Sequence, residues 1–220
     1  PGPDTLPEVV ESLGELGEKI LGKGVVYAND TPNFVANRIG VFGLLCGIKA
    51  MVEMGLTVEA VDKLTGPVIG HPKSASFRTG DLVGLDTLVH TADNVYDGAP
   101  DDERREIFSA PDFLKQMLDK NLLGDKTRQG FYKKSKDEQG ARIILSIDYK
   151  TLEYSPLEKV KFPSLETVKD LSGASQKIKA LFFSEDAAGE FTFRTLTETL
   201  IYSANRIPEI ADDIVNTDNA

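Results

Sequence analysis

Few side chains in this 220-residue chain have types and spacings that do chemistry. Asn37 and Arg38 stand side by side in "TPNFVANRIGVFGLL", a run otherwise dense in Phe, Val, Ile and Leu. Burying an amide or a guanidinium there costs roughly 2 kcal/mol or more unless partners are supplied. Asn37 is therefore either satisfied by neighbouring backbone or aimed at a ligand oxygen. In the second case an oriented amide donor stabilises charge developing on a carbonyl oxygen by about 3 kcal/mol. Lys126 and Arg128 lie beside glycines in "DKTRQGFY", either as solvated charges on a loop or in contact with an anionic ligand such as a nucleotide. His71, in a Gly/Pro loop, and His90, on a helix, have no acid at catalytic or metal-ligand spacing. Structural or solvent-exposed roles are expected for both, and no metal site.

Several constellations are missing. There is no GxGxxG after a strand, no GxxxxGK[ST] and no GxSxG. The one cysteine, Cys46, lies in an apolar helical run, so a buried reduced thiol is expected, which fits a reducing, cytoplasmic compartment. A formal charge of −10 argues against nucleic acid and, more weakly, against an anionic membrane surface. No uninterrupted apolar run reaches membrane-spanning length. The acidic stretches "DGAPDDERRE" and "EIADDIVNTD" read as solvated faces.

These side chains must be positioned by elements that the sequence pattern makes mostly helical. "TLPEVVESLGELGEKILGKG" is an amphipathic helix with Thr5 as a cap and Val9, Val10, Leu13, Leu16, Ile20 and Leu21 near the 3.6 period. "GVVYA" reads as a strand, and this helix–strand pair looks like the last piece of an α/β domain whose body lies upstream. With "PGPDT" at one end and a helical run at the other, the chain is expected to be a segment of a longer protein. A second helix is expected from Thr31 (cap) and Pro32 (first position) to Gly55. It is apolar on nearly every side, so neighbours or a second subunit must bury it, and Gly40, Gly43 and Gly47 permit close approach. Further helices are expected in "LTVEAVDKLTG" (cap Thr57), "RTGDLVGLDTLVHTADNVYDG" (interrupted near Gly84) and "SAPDFLKQMLDKNLLG" (Ser109 or Asp112 at its start). "DKTRQGFYKK" is a loop docking an aromatic pair, and "ARIILSIDYKTLEYSP" a hairpin about "DYKT". "FPSLETVKDLSGASQKIKALFFS" and "GEFTFRTLTETLIYSANRIPEIADDIV" return to helical periodicity. The tetrapeptide ANRI thus occurs twice, at 36–39 and 204–207, in each case expected near the middle of an apolar helix. That placement favours a degenerate repeat, with Pro208 kinking the second copy.

The series "NDTPNFVANRIGVFGLL…AMVEMGLTVEAVDKLTG…VGLDT…KTRQGFYKK" resembles the C-terminal domain of 3-hydroxyacyl-CoA dehydrogenases over residues 24–134. That family has Asp-Thr-Pro-Gly-Phe, two residues, Asn-Arg, then Val-Gly-Leu-Asp and Lys-Thr-x-x-Gly-Phe-Tyr. The "IDYKT" hairpin and a second helical copy resemble the long, two-copy members of fatty-acid β-oxidation. The resemblance implies a mainly α fold in four parts. These are 1–29, the remnant of a Rossmann NAD-binding domain; 30–134, the first helical domain; 135–163, a hairpin linker; and 164–220, the start of a second copy. It implies a substrate-binding and dimerisation region of an NAD-dependent enzyme converting 3-hydroxyacyl-CoA to 3-ketoacyl-CoA. Asn37 would contact the acyl substrate near its reacting oxygen and Lys126 would reach NAD, while Asn205 stays architectural. The catalytic His and its Glu, like the NAD fingerprint, are expected upstream, so His71 and His90 do not take that role and the segment alone is expected to be inactive. Self-association through the helical domain, or packing of the two copies, is implied as well. Asn33 departs from the family's Gly, and "GHPKSASFRTGDLVGLD" from its Pro-x-Gly-Pro-Phe-x-Leu-x-Asp, which leaves acyl-chain length open. Alternatives are a related dehydrogenase of another 3-hydroxy acid and a helical assembly module without catalysis.

Overall fold

A computed structural model describes residues 1–220. Ten α-helices are accompanied by one small three-stranded antiparallel sheet. The first helix, α1 (Pro7–Glu15), starts on Pro7, with Leu6 rather than Thr5 in the cap position, and runs into one π turn, Leu16–Ile20. Leu6, Val9, Leu13, Leu16 and Ile20, spaced alternately three and four residues apart, form one apolar stripe in which every member is at least 42% exposed. The strand expected in "GVVYA" does not form. A strand needs a ladder partner, and here the extended chain is held without one, by Tyr27 N donating to Asn216 Oδ1 (3.0 Å), Asn29 N donating to the Ile210 carbonyl (2.9 Å) and Asn29 Nδ2 donating to the Pro208 carbonyl (2.8 Å).

Two 19-residue helices, α2 (Ala36–Met54) and, much later, α9 (Ala187–Asn205), run antiparallel through the centre. The Phe42 ring stacks on Tyr202 at 3.7 Å near their one end, and Arg194 pairs with Glu53 near the other. Of the three glycines expected to permit close approach, Gly43 does so most closely. A Cβ there would lie 3.3 Å from Thr199 Oγ1, whereas Gly47 makes an ordinary contact with Phe191 and Gly40 faces open space. The start of α2 lies later than expected, at Ala36, because Asn33 (φ +65°) and Phe34 (φ +53°) occupy the left-handed region, which a right-handed helix cannot contain. Asn is among the few non-glycine residues that tolerate this conformation. Its side chain is also fixed, Nδ2 donating to the Thr91 carbonyl at 2.7 Å.

Gly55 (φ +66°) closes α2, and Thr57 caps α3 (Val58–Thr65) by accepting from Ala60 N. The expected break at Gly84 (φ +98°) separates α4 (Phe77–Val83) from α5 (Leu85–Gly98). A helix α6 (Asp112–Asp119) follows, with Pro111 at its cap and no side-chain cap from Ser109 or Asp112. Tyr132–Lys136, whose first three residues fall in the segment expected as a loop, is strand β1, which pairs with β2 (Arg142–Ile147), and β2 pairs with β3 (Tyr154–Pro156) in the expected hairpin. The last region adds α7 (Pro163–Thr167), α8 (Ala174–Phe182) and, beyond α9, α10 (Ile214–Asn219). One hydrophobic core of 29 buried residues runs from Val41 through Phe131, Ile147, Tyr149 and Leu181 to Tyr202, so apolar packing is continuous across residues 134 and 163.

The two ANRI tetrapeptides do not lie mid-helix. The first opens α2, and the second closes α9, which ends at Asn205 before Pro208 is reached, so no kink arises. The similarity between the regions lies elsewhere. Each 19-residue helix precedes a short helix whose first turn is capped by Thr57 in one case and Asp213 in the other.

Candidate functional site

Arg38 is fully buried, and its guanidinium is satisfied on every side. Nε donates to Tyr202 Oη (2.6 Å), Nη2 to Asp102 Oδ2 (2.6 Å) and Glu209 Oε1 (3.1 Å), and Nη1 to the Pro32 carbonyl (3.4 Å). Asp102 also accepts from Tyr202 Oη (2.7 Å) and the Arg104 amide (2.8 Å). Burial alone would raise the Asp102 carboxyl, but those donors and the nearby guanidinium hold it below its ordinary value. Arg206, the arginine of the second ANRI, reaches the same two acids, with Nη1 3.5 Å from Asp102 Oδ2 and 2.6 Å from Glu209 Oε2. The repeated motif therefore converges in space, start of one helix against end of another, on shared carboxylates.

With Arg38 turned inward, Asn37 points out. It is exposed, and its amide makes no hydrogen bond within the chain. The next turn on that face is Gly40, where a Cβ would meet nothing within 4 Å. Asn205 differs, since Nδ2 donates to Glu103 Oε1 at 3.3 Å. His71 is exposed with Nδ1 3.1 Å from the Thr65 carbonyl, and His90 is exposed on α5. No three His, Cys, Asp or Glu side chains converge as a metal site would require. Cys46 is buried, and burial, with the Glu198 carboxylate as acceptor, pushes its thiol up to about 12.

Lys126 lies on a 3₁₀ turn, Asp125–Thr127, and pairs with Asp86 in the first turn of α5, its ammonium lying over Gly84. The hydrogen bond from Lys126 lowers the Asp86 carboxyl. The "VGLD" and "KTRQGFY" segments are thus joined by an ion pair that their separation in sequence conceals. The turn is held by Asp81, which accepts from the Phe131 and Tyr132 amides (2.8 and 2.9 Å), and Phe131 packs on Phe77 with ring centroids 4.3 Å apart. Gly124 and Gly130 are required by this wrapping, because a Cβ would lie 2.3 Å from the Asp81 carbonyl oxygen or 2.1 Å from its Oδ1. Helix α5 is the element common to both sites. Asn33, near Asn37, is bonded at Thr91, five residues or roughly 7.5 Å of helix from Asp86. Nothing in the structure brings Asn37 and Lys126 into direct contact.

Three buried or half-buried acids, Asp62, Asp81 and Asp102, escaped the sequence reading. Asp62 accepts from the Phe77 and Arg78 amides (2.6 and 3.2 Å) and from Tyr132 Oη (2.8 Å). Burial outweighs these donors and pushes both Asp62 and Asp81 up to about 6. The available signal was an acid inside an apolar helical period, as in "AVDKL" and "GDLVG".

Residues 34–134 match the family model described as 3-hydroxyacyl-CoA dehydrogenase, C-terminal domain. The chain is 48% identical over 217 residues to a probable 3-hydroxyacyl-CoA dehydrogenase of Bacillus subtilis, covering 99% of this chain and 27% of that protein. It is 29% identical over 212 residues to a putative fatty acid oxidation complex trifunctional enzyme of Rickettsia prowazekii, covering 96% of this chain and 28% of that protein. A crystal structure of Mycobacterium tuberculosis FadB2 superposes with a TM-score of 0.55 at 32% identity, over 61% of this chain and 46% of that one. The chain spans little more than a quarter of the length of these two curated relatives.

Proposed function

Residues 34–134 belong to the family of 3-hydroxyacyl-CoA dehydrogenase C-terminal domains, and from that premise we propose that the chain is the substrate-side region of an NAD-dependent dehydrogenase that oxidises 3-hydroxyacyl-CoA to 3-ketoacyl-CoA in fatty-acid oxidation. The observation that carries this reading is Asn37. Its amide is exposed and unengaged, faces an open helix surface at Gly40, and is held on a turn locked by the buried Arg38 network. Such an amide is pre-organised to donate to the substrate's C3 oxygen, where negative charge grows as the alcohol becomes a ketone. When bound, NAD accepts the hydride from C3. Lys126 fits a contact with that cofactor, since its side chain is 44% exposed and Asp86 fixes its ammonium above the start of α5. The proton acceptor and most of the nicotinamide site are proposed to belong to other parts of the protein, so the 220 residues alone do not turn over. Exposed apolar side chains on the outer face of α9, Leu200 and Ile201, support a further role in self-association.

The test is steady-state kinetics of the complete protein with 3-hydroxyacyl-CoA and NAD. Asn37→Ala is expected to lower kcat about a hundredfold, near 2.7 kcal/mol, with the fold intact. Lys126→Met is expected chiefly to raise KM for NAD. Unchanged kcat in Asn37→Ala would remove this side chain from the chemistry.

A further inference from the structure

A cavity of about 690 Å³ opens between the first turn of α4, the 125–128 turn and the sheet. That size suits a nucleotide-scale ligand. Five cations line it: Lys73, Arg78, Arg128, Lys133 and Lys134. The chain as a whole carries −10, so this concentration is local and opposite in sign.

Two carboxylates also line the cavity, and protein donors occupy both. Asp125 is held bidentately by Arg78, at 2.8 Å on each oxygen, and Asp62 accepts the two α4 amides and Tyr132 Oη. Lys73, Arg128, Lys133 and Lys134 have no carboxylate within salt-bridge distance. Arg128 holds φ +62°, a left-handed conformation that a long side chain rarely adopts, and it is exposed. Between the cations stand apolar surfaces, Ile144 and Leu157, which are 49% and 45% exposed. Lys126 belongs to the same turn yet lines no part of this space, because it is engaged by Asp86. The cavity is therefore separate from the contact proposed for NAD, and it depends on neither Asn37 nor Lys126.

We propose that this cavity binds an adenine nucleotide carrying two or more phosphates, with the phosphates on Arg128, Lys73 and Lys134 and the base against Ile144 and Leu157. Guanidinium and ammonium groups supply charge-assisted hydrogen bonds to phosphate oxygens, and aliphatic walls accept a flat ring. Two sources share this chemistry: the nucleotide end of coenzyme A, and a free nucleotide diphosphate.

The test is calorimetric titration of the 220-residue chain with coenzyme A, adenosine 3′,5′-bisphosphate, ADP and inorganic pyrophosphate, at low and high salt. Saturable binding of at least one nucleotide is expected, weakening with salt. The Arg128→Glu/Lys134→Glu double variant, both of whose positions are exposed, should weaken it at least about tenfold. Leu157→Ser should weaken nucleotides but not pyrophosphate, and Lys159→Glu, outside the cavity, should change nothing. Circular dichroism establishes that each variant is folded. A tenfold preference for coenzyme A and the 3′,5′-bisphosphate over ADP identifies the coenzyme A end as the source, and a tenfold preference for ADP identifies a free nucleotide. Three results overturn the proposal: no saturation up to roughly 5 mM nucleotide, nucleotide binding no tighter than pyrophosphate, or binding unaffected by the double charge reversal.

Discussion

Asp102→Ala is a single truncation from which the structure predicts a large loss of stability. The Asp102 side chain is fully buried, as is that of Arg38, whose Nη2 lies 2.6 Å from Oδ2. A pair of charges near contact interacts by about 4 kcal/mol at an effective dielectric of 20. Removing one partner of a buried pair costs about 3–5 kcal/mol, because the survivor stays desolvated. Tyr202 Oη and the Arg104 amide lose an acceptor too, each worth about 1 kcal/mol. Glu209 lies 3.1 Å from Arg38 and Tyr202 still accepts from Nε, so the guanidinium keeps part of its compensation. The expected loss is therefore about 4 kcal/mol, read by urea unfolding followed by far-UV circular dichroism with an unchanged m-value. Pairing Arg38→Met with Asp102→Leu should recover much of what either single change loses, giving a coupling energy of about 2 kcal/mol or more. A loss below about 1 kcal/mol for Asp102→Ala, or negligible coupling, would refute the account of this network as a buried, mutually dependent pair.

Stability should also respond to pH through Asp62 and Asp81. Their folded values, about 6, lie above the ordinary carboxyl value of 3.8, so the folded state holds the proton more tightly. Their contribution is complete below pH 4 and is lost as pH rises through 6, by an amount on the order of 3 kcal/mol each. Asp102, Glu198 and Asp186, held low, act in the opposite sense: their contribution is present above the ordinary carboxyl range and is lost as pH falls below it. Asp62→Asn should therefore flatten the melting temperature between pH 5 and 7, and a slope identical to wild type would remove Asp62 from that titration. Glycine substitutions should separate cleanly by position. Gly130→Ala, with its Cβ 2.1 Å from Asp81 Oδ1, is expected to lose more than about 3 kcal/mol, while Gly40→Ala, in open helix surface, gains about 0.5–1 kcal/mol in the same urea assay.

The helical class was legible because the 3.6-residue period and its punctuation are local. Thr57, Gly55 and Gly84 act within one turn of themselves, and each stands where its chemistry places it. The hairpin around 148–153 was legible for the same reason. The strand in "GVVYA" was misread because β-branched composition describes a willingness to pair, whereas pairing needs a second chain segment alongside. The late start of α2 was hidden because Asn33 and Phe34 adopt φ values that neither composition nor periodicity signals. Asn37 and Lys126 could be singled out from motif order. Their supports could not, because Asp102 is 64 residues from Arg38 and Asp81 is 50 residues from Phe131. ANRI misled for a related reason: identical letters pointed to identical placement, while the fold uses the two arginines from opposite helix ends on the same acids.

The stack of Phe42 on Tyr202 and the bond from Arg38 to Tyr202, 164 residues away in sequence, also impose a timetable. A ribosome completes residues 34–134 before about 75 further residues deliver Tyr202 and Glu209. At about 5–20 residues per second that interval is roughly 4–15 s. Through it, the groove that α9 will fill lies open along α2, with one face of the Phe42 ring in water. A newly made chain is thus adhesive for seconds at the very surface that later becomes its centre. Chaperone occupancy, crowding between neighbouring ribosomes and any pause in translation would act on it there, before the last long helix closes the fold.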